Sequence, residues 1–127
     1  MIQTSIFINT QIEFIHQYKG APEEVSYLRY PHRHLAHIKV EIEVFHNERE
    51  VEFIMLKHQV DDFLQKRKMN ELTNDSCETV ARDIWEFICS EYGSNRTVDI
   101  TVSEDGENGC VLRYRKEKCD DKNLERT

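Results

Sequence analysis

The chain has 127 residues, 39% of them hydrophobic and 32% charged, with a net charge of -7 and only Gly 4 and Pro 2. A chain of this length makes one domain and buries roughly two-thirds of its unfolded surface; the composition excludes collagen-like, low-complexity and wholly disordered classes. The acidic balance argues against nucleic acid as a partner, because duplex binding needs a basic footprint. The basic cluster Lys66-Arg67-Lys68 reads as the solvated end of a helix. No apolar run reaches the roughly 20 residues of a membrane span and no signal-peptide pattern opens the sequence, so a cytoplasmic protein without membrane contact is expected. Cys77, Cys89, Cys110 and Cys119 form no CxxC pair, and their spacings of 12, 21 and 9 fit neither a zinc ribbon nor a small disulfide framework. Free thiols are expected.

Thr4 to His16 alternates cleanly: Ile6, Ile8, Ile12 and Phe14 share one face, while Asn9, Gln11 and Glu13 point the other way. That period of two predicts a half-buried strand. Gln17 to Pro31, broken by Lys19-Gly20-Ala21-Pro22, reads as a loop. A second strand is predicted from His32 to Phe45, with His32, His34, Ala36, Ile38, Val40, Ile42 and Val44 in one phase. After the polar turn His46-Asn47-Glu48, the alternation of Val51, Phe53 and Met55 predicts a third strand in a hairpin.

Leu56, Val60, Phe63 and Leu64 then give a helical stripe up to Arg67. Asp75 followed by Glu78 suggests an N-cap and capping box. Val80, Ala81, Ile84, Trp85, Ile88 and Tyr92 form the inward stripe of that second helix, which stops near Gly93. Thr97 to Glu104 and Cys110 to Tyr114 are predicted strands around the turn from Asp105 to Gly109. The expected fold is α+β in the order ββααββ, an antiparallel sheet with two helices on one face. Residues 1–114 make the domain and 115–127 a charged, flexible tail. Strands this long still need burial on their second face, which points to oligomerisation into a larger sheet.

Candidate chemistry follows from phase. His16 closes the apolar face of the first strand, and His32 and His34 open the apolar face of the second. If the two strands pair antiparallel, three imidazoles meet at one edge, and three neutral imidazoles with an open fourth position make a catalytic zinc pattern. The plainer reading is three unconnected core or loop-edge histidines. Glu104 continues the row of Val98, Ile100 and Val102, so it either holds adjacent N–H groups of a pterin- or purine-like ring or is simply solvated where the strand ends. Ser76 and Glu78 at a helix start can serve the cap or bind a polar ligand. Cys77 there is either an activated thiol or the head of the apolar stripe. His37, His46 and His58 fall on solvated positions.

Together these residues resemble the 6-pyruvoyltetrahydropterin synthase and 6-carboxytetrahydropterin synthase family of tunnelling-fold (T-fold) proteins, over about residues 4 to 114. Phe14-Ile15-His16 resembles the first zinc histidine of that family, His32-Arg33-His34 its His-Gly-His, Ser76-Cys77-Glu78-Thr79 its Thr-x-Glu-Asn helix start, and Ser103-Glu104-Asp105 its ring-binding Glu-Thr. Val51 to Lys57 is similar to its strand-to-helix passage, with Glu52 where an aspartate is usual. The resemblance implies a zinc-dependent lyase acting on dihydroneopterin triphosphate, with zinc on His16, His32 and His34 and the ring on Glu104, Ser76 and Glu78. It also implies a β-barrel homo-oligomer, a hexamer, with sites between subunits. Leu28 stands where the family has its catalytic cysteine, Met69-Asn70-Glu71-Leu72 where it has Leu-Asp-His, and Arg33 in place of the glycine. Glu23, Glu24 or Cys77 would have to replace the lost base. The alternative is a diverged protein that binds a pterin or purine without the family reaction.

Overall fold

Two strands of 13 residues each, β1 (Thr4–His16) and β2 (His32–Val44), carry the longest alternation into the structure. The computed structural model describes residues 1–116. After β2 come two helices, α1 (Phe53–Lys66) and α2 (Cys77–Tyr92), then β3 (Val98–Glu104) and β4 (Asn108–Tyr114). The four strands form one antiparallel sheet in the order β1-β2-β3-β4. The architecture is α+β with the order ββααββ, and α1 lies over β1 while α2 lies over β3 and β4. No helix of the described residues is long and apolar enough to cross a membrane.

Register sets which side chains are covered. Ile8 pairs with Val40, Val40 with Ile100, and Ile100 with Leu112, so even-numbered residues of every strand face the helices. Ala36, Ile38, Val40, Ile42, Ile100 and Val102 are buried against Leu56, Val60, Leu64, Val80, Ile84 and Ile88. Each such side chain contributes about 1.5–3 kcal/mol by leaving water. The odd-numbered face carries Phe7, Leu35 and Val111 at 54%, 40% and 48% exposure, with no helix of the described residues over it.

Four local expectations are corrected. Val51, Phe53 and Met55 do not form a third strand: α1 begins at Phe53, and the Glu52 carboxylate caps it by accepting the Ile54 N–H at 2.7 Å. Three alternating residues without a partner strand cannot outweigh a capped helix start. Only Val51 of the three is buried. Likewise the N-cap of α2 is Ser76, whose hydroxyl accepts the Thr79 N–H at 3.1 Å, and not Asp75. The expected loop from Gln17 to Pro31 contains a short 3-10 segment, Glu23–Arg29, kinked at Val25. Arg67 is no solvated helix end, as described below. The tail expected from residue 115 and Cys119 lie, from residue 117 onward, outside the described residues.

Two glycines have geometric reasons. Gly93 stops α2 with φ 84 and returns its N–H to the Cys89 carbonyl at 2.8 Å. At Gly109 in β4, a Cβ would lie 2.0 Å from the Val102 carbonyl oxygen of β3, so no side chain fits there.

The far end of the sheet is closed by Arg96, which donates to the Glu43 carbonyl at 3.1 Å and to Glu50 Oε1 at 3.1 Å, and lies over the Phe45 ring at 4.4 Å. The Arg96 guanidinium and the Phe45 N–H hold the Glu50 carboxyl down at about 2. The unfolded chain therefore takes up this proton first, and the stabilisation is present above the ordinary value and lost on acidification. Relative to Glu50→Gln, the wild type is expected to be more stable in full above about pH 4.5, with the difference vanishing as pH falls through about 2. Urea unfolding of both proteins across that range checks it. In the core, Ile84→Ala is expected to cost about 2–5 kcal/mol in the same assay.

Candidate metal centre

The antiparallel register puts His16 directly opposite His32, and Phe14 opposite His34. The next pairing brings Glu104, at the end of β3, opposite Ala36. Three imidazoles and one carboxylate thereby meet at one end of the covered face. Ring centroids lie 4.5 Å apart for His16 and His32, 5.3 Å for His16 and His34, and 5.0 Å for His32 and His34. One ligand atom from each of His16, His32, His34 and Glu104 lies within 4.8 Å of all the others, so the cluster can hold a metal ion. Ligands about 2.0–2.1 Å from one ion stand about 3.4 Å apart in a tetrahedral site, so an ion bound there would draw the side chains closer together.

The hydrogen bonds around the rings single out one nitrogen of each. His16 Nδ1 lies 2.8 Å from the Asp75 carbonyl oxygen, His32 Nδ1 2.8 Å from the Tyr30 carbonyl oxygen, and His34 Nδ1 2.7 Å from Asp105 Oδ2. Each acceptor can only accept, so each Nδ1 is assigned the proton and each neutral ring keeps a lone pair on Nε2. All three rings thus present the nitrogen a metal needs, with the other nitrogen tied to an oxygen as metal-ligating histidines usually are. His16 Nε2 and His34 Nε2 are buried without a hydrogen-bond partner. Yet Glu104 Oε2 is 2.8 Å from His16 Nε2 and 3.4 Å from His34 Nε2. A ring carrying its proton on Nδ1 alone has no hydrogen on Nε2 to give Glu104; a ring protonated on both nitrogens donates one there, and a cation bound between them would take that hydrogen's place. The donor set of imidazole nitrogens and one carboxylate suits zinc among other divalent ions.

His16 is held by the connection between the helices. The Ile15 N–H donates to the Met69 carbonyl at 3.1 Å, and Gln17 N–H to the Thr73 carbonyl at 3.0 Å, laying residues 69 to 75 along the end of β1. Arg67 ties that connection down. Its Nη2 donates to Asp75 Oδ2 at 2.8 Å and to Asp83 Oδ2 at 2.7 Å, and its Nε to Asp83 at 3.0 Å. With 13% of its side chain exposed, Arg67 is a structural fork. The basic run in the sequence hid it, because Lys66 beside it is exposed and pairs with Asp62 one turn back.

A cleft of about 510 Å³ opens beside the centre and brings together His16, His32, Glu104, Ser76, Cys77 and Glu78. Leu28 and Tyr18 also line it. Glu24 does not; it is exposed on the 3-10 segment. Cys77 is buried, and burial pushes its thiol up to about 12, opposite to the direction that activates a cysteine. A larger groove of about 820 Å³ runs by Gln11, Lys57 and Asp61, but it contains none of the three histidines, and its Lys57 and Asp61 pair with each other at 2.9 Å. The smaller cleft is the one that the histidine–carboxylate cluster borders. The chain matches no protein-family model, and comparison with curated proteins gives no significant match.

Sequence patterning did not point to the Asp75 and Tyr30 carbonyls, which no side chain marks, nor to Asp105 as a partner of His34. Elemental analysis of untagged protein is expected to give close to one divalent metal per chain, lost in both His16→Ala and His32→Ala. Retention of the metal in both variants would place it elsewhere.

Proposed function

We propose that this chain is a zinc-dependent lyase of the 6-pyruvoyl/6-carboxytetrahydropterin synthase type, built on a T-fold and acting on dihydroneopterin triphosphate or a related pterin or purine substrate. The observation that carries this reading is the meeting of three imidazoles with Glu104 beside a cleft that also holds Ser76 and Glu78. Those are the residues through which the resemblance to the family runs, and they are distant in sequence.

His16, His32 and His34 would hold zinc, with the ring orientations set by the three Nδ1 bonds. Zinc bound there supplies Lewis-acid polarisation of the substrate's side-chain oxygens. Glu104 borders both the imidazoles and the cleft, where its carboxylate accepts adjacent N–H groups of a ring edge. Ser76 and Glu78 stand at the start of α2 and line the same cleft. The uncovered sheet face, with Phe7, Leu35 and Val111 exposed, supports closure of the sheets of several copies into a barrel, a hexamer by the family pattern.

A second reading is favoured by the residues at the acid-base positions. Leu28 lines the cleft where the family has its cysteine, and the Cys77 thiol is held protonated by burial. In that reading the protein binds a pterin or purine ring without the family reaction. A general base is worth about 10²–10⁴ in rate, so its loss weakens the reaction without erasing it.

The test is incubation of zinc-loaded protein with dihydroneopterin triphosphate, followed by mass spectrometry and thermal melting. Slow conversion that disappears in His32→Ala, with ring binding lost in Glu104→Gln, is the expected result. A ligand-induced rise in melting temperature with no conversion at any pH selects the binding protein. No shift and no conversion rejects both.

A further inference from the structure

The sequence marks Asp105 only as a turn residue standing where the family has a threonine. In the structure it has three bonds to two neighbouring residues of β2. Asp105 Oδ2 accepts from His34 Nδ1 at 2.7 Å, Oδ1 accepts the Leu35 N–H at 2.9 Å, and the Asp105 N–H donates to the Leu35 carbonyl at 2.8 Å. The carboxylate is thus fixed at both oxygens, and its distance to the imidazole is that of a charge-assisted bond.

Its backbone has φ 58, in the left-handed region. Glycine adopts that conformation without steric cost, and aspartate is one of the few other residues that tolerate it. A turn that needed only the conformation is better served by glycine, and the chain does use glycine at the next position, Gly106, at φ 74. Arg49 and Lys68 share that conformation, at φ 57 and φ 59, so the assignment rests on what the Asp105 carboxylate touches. The other two imidazoles give their Nδ1 protons to backbone carbonyls, of Asp75 and Tyr30, whereas His34 gives its proton to a carboxylate. That makes His34 the most strongly polarised of the three rings, in the carboxylate–histidine–metal arrangement that raises ligand basicity.

We propose that Asp105 is a positioning residue of the metal centre: its carboxylate fixes the tautomer and orientation of His34 and so aims His34 Nε2 at the ion. The inference rests on the metal reading of the histidine cluster. It goes beyond that reading by assigning one ligand's strength to a side chain outside the ligand set.

Asp105→Gly separates positioning from turn formation, because it removes the carboxylate while leaving the backbone free to keep its conformation. Zinc affinity is read by competition with a chromophoric chelator, alongside the melting temperature of the metal-free protein and the visible spectrum of the cobalt-substituted protein. The expected result is a Kd for zinc raised about 10–100-fold and altered cobalt bands, with the metal-free melting temperature little changed. Asp105→Asn, which tolerates the same backbone but lacks the charge, is expected to lose part of that affinity, and it decides the matter if the glycine variant does not fold. Wild-type zinc affinity and an unchanged cobalt spectrum in the variants overturn the role of Asp105 while leaving the centre intact. Absence of zinc binding in the wild type overturns the centre and the positioning role together.

Discussion

Everything at the site depends on the register between β1 and β2. Side chains alternate with a strict period of two, so a slip of one residue would turn His32 and His34 away from His16 and put Arg33 in their place. Thirteen consecutive pairs, from Thr4 with Val44 to His16 with His32, prevent that slip. Those pairs are held in phase by burial: a slip would take from the core either Ile8 and Phe14 of β1 or Ala36, Ile38, Val40 and Ile42 of β2. The hydrophobic face therefore does more than stabilise the sheet. It fixes which atoms meet at the sheet's end.

The same constraint explains how much was legible beforehand. Strands as long as β1 and β2 offer many alternating positions, and their bounds and inward faces agree with the pattern to within a residue. The convergence of His16, His32 and His34 followed from phase and antiparallel pairing alone. Shorter signals misled. Val51, Phe53 and Met55 alternate over only five residues, and a carboxylate cap from Glu52 settles that stretch as helix. Asp75 and Ser76 are both good caps by type; Asp75 is drawn away by Arg67, which leaves the helix start to Ser76.

What sequence could not reveal lies in groups with no side-chain signature or with a misleading one. Two of the three Nδ1 acceptors are peptide carbonyls. Arg67 sits in a run of lysines yet folds inward, because Asp75 and Asp83 are brought to it by the packing of α2 and not by any local spacing. Through Asp75 this fork reaches the carbonyl that holds His16. The electrostatics of the centre are therefore set from the helical connection on one side and from the β3–β4 turn on the other.

Gly109 shows how the sheet shapes the cleft beyond the residues with functional groups. It is exposed, yet the Val102 carbonyl lies where a Cβ would be. Surface area alone would rank it among the most mutable positions, whereas the backbone geometry makes it one of the least. Because Gly109 also lines the cleft, beside Asn108 and Glu104, its own part of the lining is main chain. A substitution at Gly109 would therefore disturb the cleft through the β3–β4 backbone and not by adding a group to its lining.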